Sequence, residues 1–146
     1  MTCYETLFVV KPTLTEEEIT AQITKVKDVL AKEGAELLGT NDMGMRKLAY
    51  RVEKNDRGYY TVLYYKAEGT IIAELERNLK INEDIIKFLS VKYTRNKEIT
   101  QFDKLVKAAN KKDVVEAEKV LEAEKAPESE KEPEAKKAPA EKLTEA

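Results

Sequence analysis

The sequence predicts an α+β domain in which two helices lie on one face of a four-stranded antiparallel sheet. Three observations carry that expectation. Four segments are apolar in the manner of strands, and two others repeat apolar residues at helical spacing. Their order is strand, helix, strand, strand, helix, strand, which short right-handed crossovers close into two layers. With 146 residues, 42% of them hydrophobic, one domain can bury roughly two-thirds of its unfolded surface.

The first strand is "CYETLFVVK", residues 3–11, apolar at Tyr4, Phe8 and Val10 on one alternation and at Leu7 and Val9 on the other. Pro12 closes it. In "LTEEEI" Thr15 is placed to cap a helix, Glu18 to return the capping-box bond, and Leu14 to staple against Ile19. Glu16, Glu17 and Glu18 suit the positive end of the helix dipole. Ile19, Ile23, Val26 and Leu30 form one apolar stripe, and Gly34 supplies the stop.

A long second strand is expected from about residue 36 to 53, bent near Gly39 and Gly44. "KNDRG", residues 54–58, reads as the turn, and residues 58–67 return antiparallel. Gly69 and Thr70 open a second helix with Ile72, Leu75 and Leu79 as its buried stripe and Glu76 paired with Lys80 outside. "IIKFLSVKYT", residues 85–94, is the last strand. On this reading helices cover only one face of the sheet. Yet "RGYYTVLYY", residues 57–65, is apolar or aromatic on both alternations, so its second face needs a cover.

The expected organisation is a domain at 1–100, a basic and possibly helical extension at 101–112, and an acidic tail at 113–146. In the extension Phe102, Leu105, Val106 and Ala109 have amphipathic spacing. Residues 113–125 have partial helical character, while 126–146, with Pro127, Pro133 and Pro139 among Ala, Glu and Lys, are expected to be disordered.

Charge is segregated. Residues 1–112 carry 20 Lys and Arg against 17 acids, whereas 113–146 carry 6 against 11. Two segments stand out as basic, 43–60 at +3 and 85–112 at +6. The apolar runs are too short to span a bilayer, and the first residues lack the pattern of a signal peptide, so a cytosolic location is expected. Cys3 is the sole cysteine and histidine is absent, which removes an internal disulfide, the usual zinc sites and histidine-based catalysis. Cys3 reads as an inert strand residue. "GAELLGTN", residues 34–41, has the glycine spacing of a phosphate loop but Thr40 where lysine is needed. No enzyme and no cofactor are expected.

"RGYYTVLY" matches five of the seven specified positions of the RNA-recognition-motif strand, with Tyr60 replacing a small residue and Thr61 replacing a stacking ring. "GMRKLAYRVEK", residues 44–54, discriminates further. It closely resembles the signature of the bacterial small-subunit ribosomal protein number six family, with Val52 where that family usually has isoleucine. "YE" at 4–5, "LFVVKP", "AELER" at 73–77 and "VKY" at 91–93 extend the resemblance across about residues 1–100.

The resemblance implies a ferredoxin-like βαββαβ domain with the first and third strands central. It also implies a structural constituent of the small ribosomal subunit, cytoplasmic and ribosome-associated, that binds 16S rRNA together with the eighteenth small-subunit protein. Strand alternation separates Leu48, Tyr50 and Val52, taken as core-facing, from Lys47 and Arg51 on the open side. The RNA-binding candidates are Arg46, Lys47, Arg51, Lys54 and Arg57 around the hairpin, with Lys87, Lys92, Arg95 and Lys97 on the last strand and its exit. The partner-protein candidates are Leu7, Val9, Tyr60, Val62 and Tyr64 on the open face. Two other readings stay open: a single-strand RNA binder of the RNA-recognition-motif kind, and a protein-interaction or regulatory module without RNA. No membrane or small-molecule partner is expected.

Overall fold

The computed structural model describes residues 1–124. The elements are β1 (Thr2–Val10), α1 (Glu16–Lys32), β2 (Glu36–Val52), β3 (Asn55–Ala67), α2 (Gly69–Ile81), β4 (Ile85–Tyr93) and α3 (Asn96–Glu124). The sheet is antiparallel in the order β2-β3-β1-β4, with the first and third strands central as expected.

The first helix is built as its sequence requires. Thr15 Oγ1 accepts from the Glu18 N–H at 3.3 Å and the Thr15 N–H donates to the Glu18 carboxylate at 2.9 Å. Its inward stripe is Ile19, Ile23, Val26 and Leu30, and Gly34 turns the chain out with φ +79°. In α2 the stripe is Ile71, Leu75 and Leu79; Ile72, expected in that role, is only partly buried beside it. The ion pair on this helix is Glu74–Arg77, at 3.0 Å, rather than Glu76 with Lys80.

Both helices cover one face of the sheet, hereafter the main face, and bury Tyr4, Phe8, Val10, Leu63, Tyr65 and Ala67. Thr6 Oγ1 and the Tyr65 hydroxyl, both buried, are bonded at 2.8 Å, so this core contains a satisfied polar pair.

The expectation that helices shelter only one face is overturned by α3. It lies across the second face and buries Phe102 and Ala109 against Cys3, Val62 and Tyr64, with Leu7, Leu38, Met43 and Tyr93 around them. The physical reason lies in the alternation of "RGYYTVLYY". Tyr59 and Tyr65 point to the main core, whereas Tyr60, Val62 and Tyr64 point to the other side, and an apolar face of that kind is stabilised by removal from water. The expected boundaries at 100/101 and 112/113 both fall inside this helix. The disorder expected for 126–146 concerns residues outside those described.

The β2–β3 turn also differs from expectation. It comprises Glu53 and Lys54, both at positive φ (50° and 68°), with Val52 paired to Asn55, so the link is a two-residue turn of the kind that suits strand twist. The turn chemistry of "NDRG" is spent elsewhere. Gly58 is buried where a Cβ would approach Val9 Cγ1 to 2.3 Å, so glycine lets the strands and the Val9 side chain close together.

Candidate nucleic-acid and partner-protein interface

Strand β1 pairs with β3 only from Val10↔Tyr59 to Thr2↔Ala67. The β2–β3 hairpin therefore projects past the central strand, and its cations ride on that projection. Arg46, Lys47, Arg51, Lys54 and Arg57 are all exposed. Lys47 and Arg57 are cross-strand partners, two like charges side by side, an arrangement that opposes itself unless an anion is supplied.

Not every hairpin cation is available to the same degree. Arg51 donates to both carboxylate oxygens of Asp56, at 2.6 and 3.2 Å. That fork holds the Asp56 carboxyl below its usual range and the guanidinium above its own. Arg46 is turned back on the chain, donating to the Met43 carbonyl at 3.3 Å.

The alternation read from the sequence is inverted here. Leu48 and Val52 pack with Val9, Ile86 and Tyr60, all on the second face, and the Tyr50 ring lies there beneath the Lys87 ammonium, 4.7 Å from its centroid. Lys47 and Arg51 take the opposite side and remain exposed because the hairpin extends beyond β1. The two upstream register shifts in β2, at Leu37/Gly39 and Asp42/Gly44, cancel, since Leu37 pairs with Tyr65 and Lys47 with Arg57 on the same face. The inversion arises because Val9, Ile86 and Tyr60 give Leu48 and Val52 an apolar site on the second face. The glycines signalled both shifts, and the grouping of Leu48, Tyr50 and Val52 apart from Lys47 and Arg51 holds; only the face assigned to each group is reversed.

The partner-protein candidates divide. Val62 and Tyr64 are 5% and 3% exposed, sealed by the chain's own α3, so they are corrected from docking residues to core. Val9 is buried under Leu48 and Ile86. Leu7 and Tyr60 remain partly exposed and line a groove of about 230 Å³ together with Leu48, Tyr50, Val52 and Leu89. Tyr50 and Leu89, 61% and 58% exposed, were not singled out from the sequence. Tyr59, the ring that an RNA-recognition motif would offer to a base, packs against the main core instead.

At the other side of the sheet Lys92 is exposed on β4, and Arg95 and Lys97 lead into α3. Here the chain is ordered by Glu98, whose carboxylate accepts the Thr94 and Arg95 backbone N–H groups at 3.0 Å each. Those two bonds hold its carboxyl below the usual range and satisfy donors that the helix start leaves open.

Residues 3–92 match the family model described as Ribosomal protein S6. The chain is 76% identical over 119 residues to the small ribosomal subunit protein bS6 of Sulfurovum sp. (strain NBC37-1), covering 81% of this chain and 94% of the relative. It is 52% identical over 117 residues to the protein of that name from Campylobacter lari, with 79% and 94% covered. Among solved structures, 30S ribosomal protein S6 from Thermotoga maritima superposes with a TM-score of 0.63 at 29% identity, over 73% of this chain and 96% of the other.

Proposed function

The chain belongs to the ribosomal protein S6 family, and from that premise we propose that it binds 16S rRNA and the eighteenth small-subunit ribosomal protein at two different parts of its surface. As a member of this non-enzymatic family it is a cytoplasmic, ribosome-associated constituent of the bacterial small subunit. The observation that carries the division is the position of the groove. Apolar side chains at Leu7, Leu48, Tyr50, Val52, Tyr60 and Leu89 line a concavity on the second face, while the cations project from the hairpin beside it and from the β4 exit.

In this reading the groove takes the partner protein, since exposed apolar residues gathered into a concave patch are stabilised when a complementary surface removes them from water. Lys47, Lys54 and Arg57, with Lys92, Arg95 and Lys97 across the sheet, neutralise RNA phosphates and release their counterions. Lys87 sits over the Tyr50 ring at the groove edge, and Arg51 is shared with Asp56, so both contribute less free charge than Lys47 or Arg57.

The test uses the full chain and small subunits depleted of it, titrated across a potassium chloride series. Replacing Lys47 and Arg57 with glutamine should lower the magnitude of the salt slope by about 0.7–0.9 for each lost phosphate contact. A slope unchanged in the double variant would remove the hairpin from the RNA surface. Sedimentation of lysate examines the broader claim: a chain that stays at the top of the gradient is a free interaction module instead.

A further inference from the structure

Beyond Lys97, the outward face of α3 has no part in what precedes. Its inward face is pinned, for Phe102 is fully buried with its ring 5.8 Å from that of Tyr64 and 5.2 Å from that of Tyr93. Ala109 is likewise buried, and Gly39 lets Asn110 approach so closely that a Cβ there would lie 2.9 Å from Asn110 Oδ1. A helix anchored so presents its other side in a fixed orientation.

That other side is cationic. Lys97, Lys104 and Lys111 recur every seven residues, a spacing that drifts only about 20° per step around a helix, so they form a line about 21 Å long. Lys107 falls three residues after one and four before the next, beside the line, and Lys112 flanks its end. All these side chains are exposed. The residues interleaved with them on the same face are Thr100, Gln101 and Ala108, none of them acidic.

The nearby acids lie off this face. Glu98 is occupied with the helix start, and Asp103 stands at the margin, one turn before Lys107. The ion pairs among the described residues are Arg51–Asp56 and Glu74–Arg77, so none of these lysines is neutralised there.

Like charges at these spacings oppose one another along a helix, and the burial of Phe102 and Ala109 offsets that repulsion. We propose that the lysine stripe of α3 is a second phosphate-tracking surface, which lies along the backbone of the ribosomal RNA. The inference rests on placing this chain in the small subunit. The composition of the stripe selects the ligand class. From Lys97 to Lys111 it has no aromatic or large apolar residue. The exposed apolar residues of this face, Val114 and Val115, are small β-branched side chains beyond its end, so the stripe has no anchor of the kind that dominates protein interfaces. It uses lysine, a compact point charge that binds phosphate without a fixed fork geometry, which suits backbone contact and carries no base readout.

The experiment titrates labelled full-length chain onto small subunits depleted of it, across the same salt series, with Lys104, Lys107 and Lys111 replaced together by glutamine and, separately, by arginine. The glutamine variant should lower the magnitude of the slope of log affinity against log salt by about 2–3, from 0.7–0.9 per contact. The arginine variant should keep the wild-type slope. Unchanged circular dichroism and melting exclude unfolding as the cause, because all three side chains are exposed. A wild-type slope in the glutamine variant overturns the proposal, whether the lysines are solvated or covered by the chain's own acidic segment. Affinity lost equally at every salt concentration also overturns it, since that marks a protein contact. If the wild-type chain itself does not associate, the small-subunit reading falls and takes the stripe with it.

Discussion

The two halves of the second sheet face are made by the same strands and the same alternation, yet one is closed and the other open. Where Cys3, Val62 and Tyr64 emerge, α3 lays Phe102 on them and they become core. Where Tyr60 and Leu48 emerge, with Leu7 at the border, no helix among the described residues covers them and a groove remains. The contrast teaches that an apolar strand face does not by itself identify a docking surface. What decides is whether the chain also brings an amphipathic element long enough to reach it.

The cations obey the same contrast. On the open side, some charges are committed within the chain, Arg51 of the hairpin to Asp56 and Lys87 of β4 to the Tyr50 ring. On the closed side, α3 spends its apolar stripe on the sheet, and Lys97, Lys104 and Lys111 are left on the outward face without carboxylates among them.

The largest test of the contrast is Phe102→Ala. Removing a fully buried ring should cost about 3–5 kcal/mol in denaturant unfolding and should speed hydrogen exchange along α3; a loss under about 1 kcal/mol would mean that the helix merely rests on the sheet. Gly58→Ala tests the floor of the open half. Its new Cβ would meet Val9 Cγ1 at 2.3 Å and the Val10 carbonyl at 3.4 Å, and Val9 is β-branched, stiff and buried, so overpacking should cost about 1–3 kcal/mol. Stability equal to wild type would show that Val9 can swing aside.

Alkaline titration separates the halves by a smaller effect. Burial is the first cause raising the Tyr64 and Tyr93 phenols under α3, reinforced at Tyr93 by its hydrogen bond to the Glu5 carboxylate. Burial also pushes Tyr65, in the main core, up to about 12. A phenol whose folded value is raised stabilises the fold fully below the unfolded value near 10, and that stability is lost as pH rises through the folded value. Melting temperature should therefore fall above about pH 10, and Tyr93→Phe should flatten part of the fall. A curve that Tyr93→Phe leaves unaltered would exclude this phenol from the linkage.

The smallest stability change is expected at Leu89→Ser on the groove wall, within about 0.5 kcal/mol of wild type. Association with depleted small subunits should nonetheless weaken about tenfold, the equivalent of some 1.4 kcal/mol. Undiminished association would move the docked partner away from the groove.

Much of this molecule was legible in residue order. The capping box of Thr15 and Glu18, the stripe from Ile19 to Leu30 and the bends at Gly39 and Gly44 each follow from local chemistry, which acts within a few residues of chain. "GMRKLAYRVEK" was enough to suggest the family. The same reading grouped Leu48, Tyr50 and Val52 correctly but turned them to the wrong face, because nothing near them in sequence reveals the apolar site that Val9, Ile86 and Tyr60 offer on the second face. It also took Val62 and Tyr64 for open surface, although the spacing of Phe102, Leu105, Val106 and Ala109 already showed a helix with an apolar side to bury.

The sequence alone determined which segments become helix and strand, where the first helix starts, and that charge is divided along the chain, since each depends on neighbours close in sequence. Only the tertiary structure decided which face each β2 side chain takes, that α3 covers half of the second face, and which cations are already paired. Those outcomes depend on long-range register and on competition between distant apolar surfaces for the same cover, and no local pattern encodes who wins.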